Sequence, residues 1–174
     1  MLAYIFIAFA LLLRFVQAFD GSIGWGFSPI AAALVFFGSR QPRRQMWIPL
    51  TAAIATDVAL NVFRYGFATN LEFLVIWAWY AGAMFAGSLI GRRPRFLHAA
   101  AAVVGSSVSF FILSNAATWA VYDFYPKTFA GLMASYVAAI PFYRPQGDLM
   151  YAALFFSIPV LMESLRRHEA RQTV

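Results

Sequence analysis

The stretch LEFLVIWAWYAGAMFAGSLIGRRPR, residues 71–95, decides the fold of this chain. Up to Gly91 it carries a single charged side chain, Glu72, and it then ends abruptly in Arg92-Arg-Pro-Arg95. About 20 apolar residues are enough for a helix to cross the hydrocarbon core of a bilayer. A helix is also the structure that satisfies its own backbone polar groups in lipid. The stretch therefore predicts a transmembrane helix, about Leu71–Gly91, followed by a short basic loop.

The composition of the whole chain agrees with this stretch. Of the 174 residues, 62% are hydrophobic and 11% are charged, whereas a soluble domain is nearer half apolar and a quarter charged. The mean hydropathy is +0.70. These values predict an integral membrane protein. The chain has no cysteine, which excludes disulfides, thiolate metal ligands and cysteine nucleophiles.

Applied along the chain, the same reasoning predicts six transmembrane helices in an all-α bundle: Leu2–Phe19, Phe27–Ser39, Met46–Arg64, Leu71–Gly91, Phe96–Tyr122 and Leu149–Leu165. Residues 1–165 then form a single transmembrane domain, and residues 166–174 form a polar cytoplasmic tail. Between the fifth and sixth helices, Phe129–Phe142 is apolar but short for a full crossing. We interpret it as a partly inserted or lid-like helix. A seventh full span is the alternative.

The positions of the arginines predict the orientation. Nine of the 13 basic residues fall into three clusters, and clusters of this kind mark cytoplasmic loops. With six spans, all three clusters and both termini lie on the cytoplasmic side of a bacterial inner membrane. The net charge of +6 then reflects topology and contact with anionic lipid, and not nucleic-acid binding. The clusters are Arg40/Arg43/Arg44, Arg92/Arg93/Arg95 and Arg166/Arg167/Arg171.

Small residues recur every four positions on the fourth and fifth helices, which lets helix backbones approach closely in lipid. Such rows serve either packing within the bundle or docking of a partner membrane subunit, for which Ala83, Gly87 and Gly91 are the candidates. The rows are Ala78/Gly82/Ala86, Ala83/Gly87/Gly91 and Ala101/Gly105/Ser109.

Polar residues inside the spans predict a binding site. Each intramembrane charge costs roughly 2.5–3.5 kcal/mol on insertion scales. The polar and charged residues on the first, third and fifth helices all fall in the outer half of the membrane. We expect an outward-facing pocket in which charged and amide groups bind polar parts of a ligand while aromatic rings stack on it. The predicted residues are Arg14, Asp57, Asn61, Arg64, Asn115, Trp119, Tyr122 and Tyr125. The alternative is that Asp57 pairs with Arg14 or Arg64 and only holds the bundle together.

Nothing in the sequence favours an enzyme. There is no Walker loop and no pattern of a catalytic serine or zinc site. His98 and His168 both fall on the predicted cytoplasmic side, away from the pocket. We therefore predict no catalytic residue, no metal site and no cofactor.

Four segments carry a family resemblance that extends from about Arg14 to Phe156. They resemble a widespread family of small bacterial membrane proteins related to the substrate-binding S-components of energy-coupling-factor (ECF) transporters, in the branch of a cobalamin transporter. The segments are GFSPIAAALVFFG (26–38), PLTAAIATD (49–57), Ser114-Asn115 with YPKTFAG (125–131), and YVAAIPF (136–142) with Gly147-Asp148.

The resemblance implies a six-helix bundle with both termini inside. It further implies a high-affinity pocket for a vitamin or similar nutrient, and partners in the form of a coupling subunit and two ATPases. The cobalamin-specific relative uses a cysteine as its cobalt ligand, and this chain has none, so no cobalt ligand is carried over. The Ala-x-x-x-Ala docking motif typical of the first helix is also absent here.

Two functions from different classes follow from these observations. The first is a membrane-embedded, S-component-like subunit that binds a small-molecule nutrient, with energy supplied by ECF-type partners. The second is a structural or accessory transmembrane subunit of a larger membrane complex, respiratory or photosynthetic. A small facilitator that works alone is a third, weaker reading.

Overall fold

A computed structural model describes residues 1–23, 27–66, 70–92 and 94–172, with side chains to His168. The described residues form α-helices joined by short turns and contain no strand, so the predicted all-α class is confirmed. The helices are α1 (Leu2–Phe19), α2 (Ile30–Arg40), α3 (Trp47–Leu60), α4 (Leu71–Leu89), α5 (Phe96–Val121), α6 (Phe129–Ala139) and α7 (Pro145–Gln172).

Five helical segments are long and apolar enough to cross a membrane: Leu2–Phe19, Arg43–Tyr65, Leu71–Leu89, Phe96–Val121 and Pro145–His168. The chain is therefore a multi-pass helical membrane protein. The two shorter apolar segments are Ile30–Arg40 and Phe129–Phe142. Helix α7 continues well beyond the predicted end at Leu165, so residues 166–172 of the predicted tail are helical. Arg93 and the side chain of Arg171 lie outside the described residues.

The direction of each helix follows from contacts at its two ends. Gln17 Nε2 on α1 donates to the carbonyl of Phe27 at 3.0 Å, and the rings of Tyr4 and Phe37 lie 5.1 Å apart. Helix α2 therefore runs antiparallel to α1. Tyr4 also donates to Gln45, just before α3, at 3.0 Å.

Helix α3 runs parallel to α1, because Arg64 beyond its end donates to the carbonyl of Ala18 at 3.0 Å. Thr118 near the end of α5 donates to Glu72 at the start of α4 at 2.8 Å, so α4 and α5 are antiparallel. Helix α7 is antiparallel to α1, since Phe155 stacks on Phe6 at 4.2 Å while Tyr151, earlier in α7, packs on Phe9, later in α1, at 6.2 Å. Six helices thus follow the length of the bundle in alternating directions.

Described arginines from the clusters gather at one end of this bundle, which we call the arginine end. Arg43 Nε, after α2, donates to Ser88 Oγ near the end of α4 at 3.2 Å. Arg40 and Arg166 line one surface pocket together with Met1. Arg40 also lines a neighbouring pocket with Pro94, which precedes α5. The opposite end holds α6 and the beginning of α7.

Helix α2 is the centre of the core. Every residue from Ala31 to Ser39 is buried, and the helix contacts α1, α4, α5 and α7. Its closest neighbour is α4, where two glycines remove the atoms that would clash. A Cβ on Gly38 would lie 1.9 Å from the carbonyl oxygen of Met84, and one on Gly87 would lie 2.1 Å from that of Val35.

This contact corrects the docking prediction for Ala83, Gly87 and Gly91. Gly87 is buried and packs on α2, so it serves packing inside the bundle. Ala83 is also buried, but it lines a groove between α4 and α5. Gly91 follows the end of α4 with a φ of +74°, a left-handed conformation that glycine adopts without strain. Its role is to turn the chain after the helix.

Candidate functional site

A cavity of about 580 Å³ lies at the end of the bundle opposite the arginine end. Its walls come from the last turns of α1, the start of α2, the middle of α4 and α5, and residues 139–148 between and within α6 and α7. Seven aromatic residues line it: Tyr65, Trp79, Tyr80, Phe110, Phe111, Phe142 and Tyr143. Its charged and amide side chains are Arg14, Gln17, Asn115, Arg144 and Asp148.

Behind one wall lies a buried ionic network centred on Asp57. Its side chain is 2% exposed, and its Oδ1 lies 2.7 Å from Nη2 of Arg14. Two donors from α4 complete the network: Trp77 Nε1 at 3.1 Å and the Tyr80 hydroxyl at 3.0 Å, both to Oδ2. Arg14 also donates through Nη1 to the Tyr80 hydroxyl. The charges of Arg14 and Asp57 are thus paired and hydrogen-bonded, as buried charges in a membrane protein require.

The positions of these residues follow from helix geometry. On α4, Trp77 and Tyr80 lie three residues apart and so share one face of the helix. On α1, Arg14 stands one turn before Gln17, and both line the cavity. A long arginine side chain can extend sideways from its backbone. Arg14 therefore presents part of its surface to the cavity while its guanidinium nitrogens bind Asp57 and Tyr80.

Asp148 forms a second polar group, on the other side of the cavity. It lies in the first turn of α7, and its Oδ2 accepts a hydrogen bond from Ser107 Oγ of α5 at 2.5 Å. The Tyr143 hydroxyl lies 3.5 Å from the same Ser107 oxygen. Ser107 is buried, so this contact fixes the carboxylate where α5 and α7 meet the cavity.

The aromatic wall is held by polar contacts at its edges. Trp79 Nε1 donates to the carbonyl of Ser106 and to Ser109 Oγ, both at 3.0 Å. The rings of Trp79 and Phe110 lie 4.8 Å apart, and those of Phe111 and Tyr143 lie 4.9 Å apart. Rings fixed in this way give a rigid apolar surface against which a planar ligand can pack.

Helix α6 covers one side of this end of the bundle. Thr128 caps it by accepting a hydrogen bond from the Gly131 amide at 3.1 Å, and the Tyr136 hydroxyl donates to the carbonyl of Ile112 on α5 at 3.1 Å. A Cβ on Gly131 would lie 2.0 Å from the carbonyl oxygen of Pro126. The position of α6 therefore depends on a close contact with the turn before it.

Among the eight predicted binding residues, the structure brings Arg14 and Asn115 to the cavity wall. Asp57 lies behind Arg14 and does not line the cavity. Asn61 is buried at the end of α3. Arg64 is more than a third exposed and donates to a carbonyl of α1.

The three predicted aromatic residues near the end of α5 organise the following turn and do not line the cavity. Trp119 Nε1 donates to the carbonyl of Pro126 at 2.9 Å. The Tyr122 hydroxyl accepts from Asn70 Nδ2 at 3.0 Å, and Lys127 Nζ lies 2.5 Å from the Tyr122 carbonyl oxygen. Tyr125 is half-buried in the same turn. Stacking of these rings on a ligand is not what this arrangement supports.

Sequence reasoning missed Trp79, Tyr80, Ser107 and Asp148 as cavity residues. Trp79 and Tyr80 look like ordinary apolar positions in a long span. A signal was available for Asp148, since it is an acidic residue next to a long apolar run, and such residues need a partner. Among the described residues, no group of three histidine or acidic side chains is arranged to hold a metal ion.

Comparison with known proteins gives a family and no activity. A family model described as a family of unknown function, DUF6580, matches residues 1–171. No curated protein and no solved structure matches the chain. Because the match extends over nearly the whole sequence, the chain belongs to the DUF6580 family.

Proposed function

We propose that this protein is a membrane-embedded binding subunit for a small nutrient, of the vitamin-like class, and that partner proteins supply the energy for uptake. The observation that carries the proposal is the cavity at the end of the bundle opposite the arginine end. Its volume of about 580 Å³ falls within the range of roughly 300–1,000 Å³ that is typical of small-molecule sites. A mostly aromatic wall with a few convergent polar groups is also typical of such sites.

The proposed orientation places the cavity on the outer face of a bacterial inner membrane. The six lengthwise helices become six crossings with both termini inside, and α6 lies at the outer surface. The short helix α2 completes its crossing with the preceding non-helical residues 27–29, which extend further per residue than a helix. Arginines mark the cytoplasmic side, so the arginine end faces inward and the cavity opens outward.

The proposed partners are an ECF-type coupling subunit with its ATPases. This part of the proposal comes from the resemblance of segments 26–38 and 125–131 to the S-component-related family. It agrees with the absence of a nucleotide-binding loop in the sequence, since a subunit that only binds its cargo needs no ATP site of its own.

Native mass spectrometry of the protein, extracted in mild detergent from its own membrane, tests the binding function. We expect the monomer to carry a bound mass of at most several hundred daltons. Ser114→Trp should remove this mass, because Ser114 lines the cavity and an indole there takes up space that the ligand needs. Val108→Trp is the matched control, since Val108 is on the same helix but 39% exposed. A protein without a bound mass, or a mass that persists in Ser114→Trp, contradicts the proposal.

A second candidate function, a structural subunit of a larger membrane complex, is favoured by a groove between α4 and α5. Gly82 and Gly105 line it, and the Cβ position of each is open. Small residues in such a groove suit the close approach of a foreign transmembrane helix. Copurification of the native protein in a stable multi-subunit complex, with an empty cavity, would support this function over the first. The small residues of the groove are Ala78, Gly82, Ala83, Ala86, Ala101, Ala102, Gly105, Ser106 and Ser109.

A further inference from the structure

The cavity contains a carboxylate that has no positive partner, and this feature defines the chemistry of its ligand. Building on the proposed binding function, we infer that the ligand carries a positively charged nitrogen, such as a protonated amine or a quaternary ammonium group, and that Asp148 binds it.

Asp148 is only half satisfied by the protein. Its Oδ2 accepts the hydrogen bond from Ser107, while Oδ1 has no hydrogen bond and the carboxylate has no ion pair among the described residues. A carboxylate offers about four acceptor positions on its two oxygens. Oδ1 is also not among the buried side-chain atoms that lack a partner, so it is accessible at the cavity that Asp148 lines.

The other charged groups of the cavity do not neutralise Asp148. Arg14 is already paired with Asp57, which it contacts at 2.7 Å, and its second terminal nitrogen donates to Tyr80. Arg144 also lines the cavity and lies one helical turn before Asp148 in sequence, but it forms no ion pair with it. The polar wall near Arg14 is thus electrically balanced, whereas the wall at Asp148 carries an uncompensated negative charge.

Aromatic rings beside Asp148 suit the same ligand. The Tyr143 hydroxyl and the Asp148 carboxylate share Ser107 as a neighbour, and the Tyr143 ring packs on Phe111 at 4.9 Å. The face of an aromatic ring attracts a cation, and quaternary ammonium ligands are recognised by such rings. A carboxylate in the same cavity as these two rings therefore favours a cationic nitrogen attached to an apolar or aromatic body.

Asp148 also lies in the first turn of α7, where a negative charge stabilises the helix. That role needs no opening towards a cavity and no neighbouring aromatic rings. It also predicts a different experimental result, because a helix-stabilising aspartate affects folding without distinguishing between ligands of different charge.

Three probes of nearly equal shape separate the two roles: phenethylammonium, 2-phenylethanol and 3-phenylpropionate. Each has a phenyl ring on a two-carbon chain, and they differ in charge. We would measure their affinities by calorimetry, at pH 7, for the full-length protein in lipid nanodiscs. In the wild type we expect the ammonium probe to bind at least tenfold more tightly than the alcohol, and the carboxylate to bind most weakly.

Asp148→Asn should bring the ammonium and alcohol affinities within about twofold of each other. The control is Asp123→Asn, which removes the same charge from a side chain that is 98% exposed and lies outside the cavity. This control should keep the preference for the ammonium probe. If Asp148→Asn does not fold, Asp148→Glu replaces it and should weaken ammonium binding severalfold without changing alcohol binding. Equal affinities in the wild type, tighter binding of the carboxylate, or a preference that survives Asp148→Asn overturns the inference. Failure of all three probes to bind also overturns it, whereas the proposed function is decided separately by the mass bound to the native protein.

Discussion

Asp57 and Arg14 illustrate how a charge pair is maintained inside a bundle that is otherwise apolar. The carboxylate receives three side-chain donors from two other helices. Such a network couples α1, α3 and α4 at one depth. The pair supports the cavity from behind, since Arg14 lines the wall and Asp57 holds Arg14 in place.

Removing one partner of this pair should therefore cost more than removing both. Asp57→Ala leaves the Arg14 charge without its partner, and we expect a loss of about 3 kcal/mol in the free energy of unfolding. The double variant Arg14→Met with Asp57→Leu should recover at least about 1 kcal/mol of this loss, because no unpaired charge remains. Equilibrium unfolding in mixed detergent micelles measures both values.

The matched control for this prediction is Asp20→Ala. Asp20 follows α1 and lies outside the buried network, where hydrogen bonds from the Ser22 hydroxyl and amide hold the pKa of its carboxyl below the usual value. Its replacement should change the unfolding free energy by less than about 0.5 kcal/mol, as surface substitutions usually do. A double variant no more stable than Asp57→Ala would show that the pair is not a coupled unit.

At the scale of single elements, the crossing of α2 and α4 depends on two glycines. Gly38→Ala or Gly87→Ala places a methyl group within about 2 Å of a backbone carbonyl of the other helix. A backbone cannot move aside as a side chain does, so the helices must separate. We expect a loss of about 1–3 kcal/mol or more, as for an overpacked core, seen as a lower thermal midpoint in detergent.

Gly82→Ala and Gly105→Ala are the controls, because the Cβ position at each is open. Alanine is the better helix former by nearly 1 kcal/mol, so these variants should be unchanged or slightly more stable. Destabilisation of equal size in all four variants would mean that helix packing is not what distinguishes these glycines.

Helix α6 should respond to a substitution at its own close contact while the bundle does not. Gly131→Ala brings a methyl group against the carbonyl of Pro126, so α6 must lift from the turn before it. We expect faster amide hydrogen exchange over residues 126–139 with a change of less than a few degrees in the thermal midpoint. Ala134→Val, on the exposed side of α6, should leave exchange unchanged. Unaltered exchange in Gly131→Ala would show that this contact does not position α6.

Element boundaries illustrate which parts of the fold can be predicted from the sequence. Long apolar runs that end at or beside an acidic residue gave α1 and α5 to within one residue, because the transition from apolar to charged residues is sharp there. The end of α7 was placed too early, since the helix continues past Leu165 through polar residues, with no apolar run to mark it. The π-helical turn Asn61–Tyr65 leaves no pattern in composition, although Tyr65 lines the cavity.

The site was less predictable than the helices. Three polar stripes at similar depth pointed to the end of the bundle at which the cavity lies, but depth alone does not say which side chains face each other. Arg64 and Tyr122 were predicted to bind a ligand and instead bind backbone or side-chain groups of neighbouring segments. Which side chains face the cavity depends on the rotation of each helix about its axis. Contacts such as that of Gly87 on α4 with Val35 on α2 set this rotation.

For the molecule as a whole, the proposed orientation predicts which ends are accessible from each side. The chain contains no cysteine, so single cysteine variants can be labelled without a background. Asp20→Cys and Asp123→Cys should react with a membrane-impermeant maleimide in intact cells. Arg44→Cys and Arg167→Cys should react only after the membrane is made permeable. Cysteine-free wild-type protein is the control.

The reverse labelling pattern would invert the proposed orientation and place the cavity inside the cell. Labelling of Arg44→Cys and Arg167→Cys on opposite sides would show that the number of crossings between them is odd. Either result would also remove the support that topology gives to the proposed uptake function, because the cavity must open towards the source of its ligand.

The burial of α2 has a consequence for the biogenesis of the protein. Its 11 helical residues cover about 16 Å, too short for a translocon to recognise as a span. Its closest neighbour α4, and also α5 and α7, are synthesised after it. A nascent chain that ends before Leu71 can therefore pack α2 against α1 but not against Gly87 of α4. We therefore expect α2 to insert into the membrane together with its neighbours, and its native environment to be completed only late in translation.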